Sequence, residues 1–248
     1  MLELYNASVS TCSQRVRMAL AEKGLDWVDR RLSLPDNEHL SPAYLAINPN
    51  GLVPTLVHDG RAIADSSVIM EYLEDVFPSP ALRPSDPFEL ARMRVWTHYI
   101  DEVPTAATRI PSFHHVFGLG LRRLPRPVLE DVAAQRPLRK HMYLRMGPDG
   151  FGRQDLAEAM EQIEQSLARA EGALADGPWL NGAAFSLADI SMLPTVVRME
   201  DLGFAHLWAQ RPRVADWYAR MTARPSFQAA YYPGSRVSPP PAVGAPAR

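Results

Sequence analysis

Asn48-Pro49-Asn50-Gly51-Leu52-Val53-Pro54-Thr55-Leu56-Val57, followed a few residues on by Ala64-Asp65-Ser66-Ser67, is the stretch that decides how this chain folds. Proline has no N–H to give to a sheet, so Pro54 belongs immediately before a strand, where that loss costs least, and Thr55-Leu56-Val57 is the strand. His58-Asp59-Gly60 is a tight hairpin turn, and Arg61 to Ala64 returns beside the first strand. After it Val68, Ile69, Tyr72, Leu73 and Val76 recur at helical spacing, so a helix opens at the Asp65-Ser66 pair.

Toward the N-terminus, Leu2 to Tyr5 reads as a strand. Ser8 to Ser13 is a polar turn feeding a helix that carries Val16, Ala19 and Leu20 and closes at Lys23-Gly24. Trp27 to Leu32 is a further strand, Pro35 to Ser41 a polar loop, and Pro42 to Ile47 one or two helical turns. The order β-α-β, loop, β-β-α predicts a small mixed sheet with helices packed on it, an α/β unit over residues 1–80.

Toward the C-terminus, Ala81 to Pro87 has three breakers and no periodicity and reads as a linker. From Phe88 onward no stretch reads as a strand. Phe88 to Val103 is helical until Pro104, Pro111 suggests a second break, and Leu119 to Met146 is basic and interrupted by prolines. Leu156, Met160, Ile163, Leu167, Ala170 and Leu174 form the seam of a bundle helix. Ser186-Leu187-Ala188-Asp189 has the form of a capping box, and Val214, Trp217, Tyr218 and Met221 mark a last helix ending near Pro225. Residues 88–232 are therefore expected to form an all-α bundle, and 233–248 a proline-rich tail in which Pro239 to Pro246 is too poor in apolar residues to pack.

The 248 residues carry 26 basic and 28 acidic side chains, a formal charge of −2, so no global field recruits nucleic acid or an anionic membrane. No apolar run reaches bilayer length and the N-terminus lacks a signal pattern, which together with the single cysteine, Cys12, suits a reducing, cytoplasmic setting.

Asn48-Pro49 with Val53-Pro54, Asp65-Ser66 and the Ser186 to Asp189 box, in this order and spacing, resemble the cytosolic glutathione transferase family, over Leu2 to about Pro233. The resemblance implies a thioredoxin-like N-terminal domain, an all-helical C-terminal domain, glutathione as co-substrate and a homodimer. Ser10-Thr11-Cys12-Ser13, then Arg15-Val16-Arg17, looks like the serine-type theta and zeta classes, in which the first serine of the run faces the thiol. Glu71 to Pro78, Leu82 to Phe88 and Met93 to Thr97 are similar to the bacterial glutathione-dependent β-etherases, which cleave lignin-derived aryl ethers.

A glutathione enzyme must convert a thiol that titrates near about 8.5 into a thiolate at neutral pH. A hydroxyl donor at a helix N-terminus supplies that bias. On the resemblance Ser10 takes this role, with Ser13 and Thr11 as alternatives, while a serine there could equally be only the N-cap. The same alignment puts Ser10, not Cys12, at the nucleophile position of disulfide-exchanging relatives. The Val53–Pro54 bond is expected to be cis, with the backbone of Val53 pairing with the cysteinyl segment of glutathione. Asp65 and Ser66 at the helix start would take its γ-glutamyl end, and His39 would meet its glycyl carboxylate. Trp96, His114, His115, Phe117, Tyr143 and Trp208 are candidates by type for an apolar wall, and Asp189 for a structural cap. The chemistry needs no metal. The function implied is attack of glutathione on a small hydrophobic electrophile, aromatic or an aryl ether, with a zeta-type cis-trans isomerase and a non-catalytic ligand carrier as the alternatives.

Overall fold

The computed structural model describes residues 1–238, so the proline run from Pro239 lies outside the described residues. Four strands form one sheet in the order β2-β1-β3-β4, with β1 (Leu2–Asn6) parallel to β2 (Val28–Arg31) and antiparallel to β3 (Thr55–His58), and β4 (Arg61–Ala64) antiparallel to β3. Asp59 and Gly60 both have positive φ, 47° and 77°, as a two-residue hairpin requires. Helices α1 (Thr11–Glu22), α2 (Pro42–Leu45) and α3 (Ser66–Val76) complete this half.

The register fixes what stands at the sheet edge. Tyr5 pairs with Thr55, and Thr55 with Ala64. That single rung lies one residue from the end of β1, starts β3 and ends β4, so the loop before α1, the Val53–Pro54 corner and the start of α3 emerge together.

Eight helices follow: α4 (Pro87–Glu102), α5 (Pro104–Ser112), α6 (Arg126–Ala134), α7 (Lys140–Arg145), α8 (Arg153–Ala173), α9 (Leu187–Asp201), α10 (Pro212–Thr222) and α11 (Pro225–Ala230). Pro111 does not break α5 as its sequence suggests. It sits in the last turn, and the chain continues as a π-helical turn over Phe113–Phe117. The basic stretch from Leu119 is helical in two short pieces, α6 and α7, and α11 is one helix more than the sequence foretells.

α1 lies between the sheet and the bundle, packed on α3, α9 and α11. Its residues from Ser13 to Leu20 are all buried, polar ones included. One continuous core results, running from Leu4, Leu20, Leu56 and Leu73 into Ile100, Met192 and Trp217. The segment read as a linker is part of it: Leu82 is 3% exposed, and its N–H donates to Glu74 Oε1 at 3.1 Å. Glu74 also pairs with the buried Lys23, whose ammonium donates to the carbonyls of Phe77 at 2.7 Å and Pro80 at 3.0 Å. The first residues assigned to the tail are packed as well. Ser235 is fully buried, its carbonyl accepts from Gln14 Nε2 at 2.8 Å, and Arg236 pairs with Glu200 and Asp201.

Asp189 shows why the capping box matters. Its carboxylate accepts from the N–H of Leu180 at 2.9 Å, the N–H of Ser186 at 3.0 Å and Trp217 Nε1 at 2.9 Å. Burial pushes its pKa up to about 6, against the pull of those donors. Asp189→Ala would strand three interior N–H groups, each costing on the order of 1 kcal/mol or more, so we expect a loss of about 3 kcal/mol. A urea unfolding curve with a lowered midpoint and an unchanged slope checks this.

Candidate glutathione site

The site assembles at the rung Tyr5, Thr55, Ala64. Ser10 is the N-cap of α1 in extended conformation, and its Oγ accepts the Ser13 N–H at 3.3 Å. A hydroxyl has one proton to give and two lone pairs. Acting as the cap therefore leaves the Ser10 proton free, and it takes no acceptor among the described residues. Ser13 is fully buried, and its Oγ accepts the Ala7 N–H at 3.2 Å, which ties the loop to α1. Thr11 and Cys12 are half-buried in the first turn of α1.

Two arginines that sequence reasoning left without a role hold the loop. Arg17 donates to Ala7 O at 3.1 Å, Ser8 O at 2.8 Å and Asn6 Oδ1 at 2.9 Å, and through Nε to Ala230 O at 3.0 Å. Arg198 of α9 donates to Val9 O and to Ser112 Oγ. The carbonyls of three successive residues before Ser10 thus all face buried guanidinium groups. Burial lowers the Arg198 pKa to about 10, leaving it a cation at neutral pH. Tyr232 closes the loop from outside, donating to Ser8 Oγ at 3.0 Å and lying under Arg31 and Arg17 at 4.3 and 5.0 Å. The Arg15-Val16-Arg17 motif was the available signal for Arg17. Nothing in the sequence marks Arg198 or Tyr232.

The Val53–Pro54 bond is cis, and so is Ser79–Pro80, which the sequence did not announce. Behind Val53, Asn48 Nδ2 donates to Leu52 O and Thr55 Oγ1, both at 2.9 Å, and the Tyr44 hydroxyl joins the same two atoms. Asparagine at 48 is thus required as a double donor on a buried corner. Gly51, at φ 58°, would carry a Cβ 2.9 Å from Leu40 Cδ2, so only glycine fits there. The N–H and C=O of Val53 itself take no partner among the described residues.

Asp65, at φ 75°, caps α3 by accepting from Ser67 N and Val68 N at 2.9 and 3.2 Å. Ser66 is the first helical residue, and its N–H and hydroxyl take no partner among the described residues, which suits a ligand carboxylate. Ser67 donates to Asp101, and Asp101 also pairs with Arg15, so α1, α3 and α4 meet beside this helix start.

His39 stands apart, in a 3₁₀ turn. It borders a crevice of about 50 Å³ with Gly51 and Leu52 on one side and Arg136, Arg139 and Tyr143 of the helical half on the other. Its Nδ1 has no partner among the described residues, and burial, then the Arg136 charge, lower its pKa. Of the apolar candidates, Trp96 and Trp208 are buried, Trp208 against Tyr218. His114, His115, Phe117 and Tyr143 are half-buried around the π-helical turn, where Phe117 and Tyr143 both pack on Phe113.

Among the described residues no helix is long and apolar enough to cross a membrane. Family models for the glutathione S-transferase N-terminal domain and C-terminal domain match residues 9–76 and 153–220. Protein LigF of Sphingobium sp. (strain NBRC 103272 / SYK-6) is 32% identical over 92% of this chain and 91% of its own. The crystal structure of that protein, described as a β-etherase, superposes with a TM-score of 0.83 over 93% of this chain and 98% of that one, at 30% identity. The maleylacetoacetate isomerase of Pseudomonas aeruginosa is 34% identical over 93% of this chain and 95% of its own. A Sulfitobacter glutathione transferase homologue, solved with bound glutathione, is 25% identical with a TM-score of 0.69, covering 92% of this chain and 96% of that one. The two matched domains and these near full-length likenesses agree with the sheet, the bundle and the site at their junction: the chain belongs to the glutathione S-transferase family.

Proposed function

We propose that the protein is a glutathione transferase in which the Ser10 hydroxyl donates to the glutathione sulfur and holds it as thiolate, for attack on an aromatic or aryl ether electrophile. The observation that carries this reading is the free proton of Ser10 in a loop whose carbonyls are engaged by Arg17 and Arg198. A donor that already accepts the Ser13 N–H is polarised toward giving its own proton. The start of α1 adds its partial positive charge on the same side.

Glutathione would lie along the rung described above. Its cysteinyl backbone pairs with Val53, just ahead of Pro54 and β3, in the manner of an added strand. Its γ-glutamyl carboxylate meets Ser66 and the α3 N-terminus, its amine turns toward Asp65, and its glycyl end reaches His39. In the ether case the thiol proton passes to solvent and the thiolate attacks the ether-bearing carbon. A C–S bond forms, the C–O bond breaks, and a phenol leaves after taking up a proton. Holding both reactants in one cleft supplies much of the rate. The likeness to a protein described as a β-etherase favours the ether substrate. The likeness to a maleylacetoacetate isomerase favours a second reading, in which the same thiolate adds reversibly to a conjugated double bond. A cytoplasmic setting suits the single cysteine and the need for reduced glutathione.

We also propose a homodimer. Val68 of α3 and Phe88 and Val95 of α4 are 55, 70 and 57% exposed, and Arg94 joins the two helices by pairing with Glu71 at 2.9 Å. Apolar side chains this exposed on adjoining helices suit a second copy.

The test of function is glutathione-dependent turnover of a panel holding a β-aryl ether, a chloronitroaromatic, a maleyl diacid, a peroxide and a mixed disulfide. Ether or chloroaromatic turnover supports the transferase, diacid isomerisation alone supports the second reading, and glutathione binding with no turnover of any member supports a carrier. Ser10→Ala should abolish the thiolate absorbance of bound glutathione at neutral pH, lower kcat/KM about 10- to 100-fold and move its acid limb up toward the free thiol value. If Ser13→Ala does this instead, the assignment fails. Light scattering should give twice the chain mass for the native protein and a shift toward the chain mass for Phe88→Asp.

A further inference from the structure

Arg198 holds both ends of the π-helical turn and the loop before Ser10 with one guanidinium. Its Nη1 donates at 3.2 Å to Ser112 Oγ, on the last residue of α5 before the turn, and Ser112 gives its own proton to Thr108 O at 2.6 Å. Phe117 ends the turn, and the guanidinium lies over its ring, 5.2 Å from the centre. Nη2 goes the other way, to Val9 O, next to Ser10. The turn between these two anchors is itself locked. Gly118 N–H donates to Phe113 O at 2.7 Å, and a Cβ on Gly118 would stand 2.5 Å from that oxygen. Turns of this kind are frequent at functional sites, and none of Phe113 to Phe117 is fully buried.

Packing alone does not call for an arginine here. α9 is buried without a break from Leu187 to Met199, and Asp189 and Arg198 are the charged residues of that run. Arg198 is 4% exposed, forms no ion pair among the described residues, and its Nε has no partner there. The ionisable groups around it are Asp201 of α9, Tyr231 beyond α11 and Cys12 of α1. Asp201 is already paired with Arg236, and burial raises the Tyr231 pKa and keeps that phenol neutral. A buried cation that meets only a carbonyl, a hydroxyl and a ring face is a poor stability device, because an apolar side chain of similar volume avoids the desolvation cost. What Arg198 does supply is a joint. α9 is a fixed element of the core, and two segments far apart in sequence hang from one of its side chains.

We infer that Arg198 is the positioning residue of the cleft, setting the Ser10 hydroxyl and the π-helical turn at a fixed separation so that the glutathione sulfur faces an electrophile lying against Phe117. The inference rests on the transferase reading for the role of Ser10. Without the joint, Val9 O is released and Ser10 with it, so the sulfur is held less well as thiolate. The turn is released too, so the electrophile is aligned less well with the sulfur. Arg17 still holds Ala7 O and Ser8 O, and the Val53 and Ser66 ends of the site do not touch Arg198, so glutathione binding survives. A lysine keeps the charge, but its single ammonium lacks the rigid fork that reaches Val9 O and Ser112 Oγ together.

The experiment follows the full chain and its Arg198→Met, Arg198→Lys and Ser112→Ala variants by calorimetry with S-methylglutathione, by thiolate absorbance of bound glutathione against pH, and by kcat for the electrophile that the native protein turns over. S-methylglutathione affinity should stay within about threefold of native in all three variants, since its site is untouched. Both Arg198 variants should move the thiolate titration up by about one pH unit and lower kcat about 10- to 100-fold. Ser112→Ala loosens the turn but leaves Val9 O held, so it should lower kcat about tenfold with the thiolate titration unmoved. Native titration and kcat in Arg198→Met overturn the inference. So does full recovery of both in Arg198→Lys, which makes charge and not the joint the agent. Loss of S-methylglutathione affinity by the same factor as kcat overturns it as well, being the mark of a merely structural role. A native protein that binds glutathione without thiolate absorbance at neutral pH sinks the transferase reading, and this inference with it, whatever the variants do.

Discussion

Everything at the thiol site depends on backbone carbonyls held by buried charge. Loops before helix N-termini are ordinarily mobile because their polar groups trade freely with water. Here Ala7, Ser8 and Val9 give their carbonyls to Arg17 and Arg198 inside the protein, and Ser13 takes the Ala7 N–H. Hydrogen bonds to a charged donor are the strong ones, and in a buried setting water competes for them poorly. Ser10 is consequently presented by a rigid scaffold, and in the role proposed for it the hydroxyl would need no ordering at the moment of reaction.

The same constraint explains a helix that would look wrong in isolation. α1 shows only a few apolar positions, and a reader of its sequence would bury Val16, Ala19 and Leu20 and leave Gln14, Arg15 and Arg17 in water. All six are buried. Each polar one has a partner contributed by the helical domain or the segment just beyond it: Ser235 O for Gln14, Asp101 and Thr105 for Arg15, Ala230 O for Arg17. The helix is thus a shared layer, and the two domains form one hydrophobic core around it.

What was legible in the sequence follows from this division. The strands and the hairpin rest on local rules, proline before a strand and Asp59-Gly60 in the turn, and they fall within a residue or two of where those rules put them. The Ser186 box and the α8 seam are equally local. Partnerships made across large sequence distance leave no local trace. Arg198 to Val9, Tyr232 to Ser8 and Arg136 to Asn37 are of this kind, and so are α6, α7 and α11, short helices whose packing and not whose periodicity defines them. Ser13 illustrates the limit within the motif itself. Its type matches Ser10, and only the fold shows that its oxygen is spent inside.

The contact between Tyr232 and Ser8 also bears on how the protein comes into being on the ribosome. The sheet and α1 are made first, and domains generally fold in that order. Yet the groups that immobilise the Ser10 loop arrive with α9, α11 and the segment just beyond, more than a hundred residues later. Until then Arg17 lacks Ala230 and the loop lacks both Arg198 and Tyr232. In a nascent chain that has finished only its N-terminal half, the hydroxyl proposed to activate the thiol therefore still lacks part of the frame that fixes its loop, and that frame is complete only once synthesis has passed Tyr232.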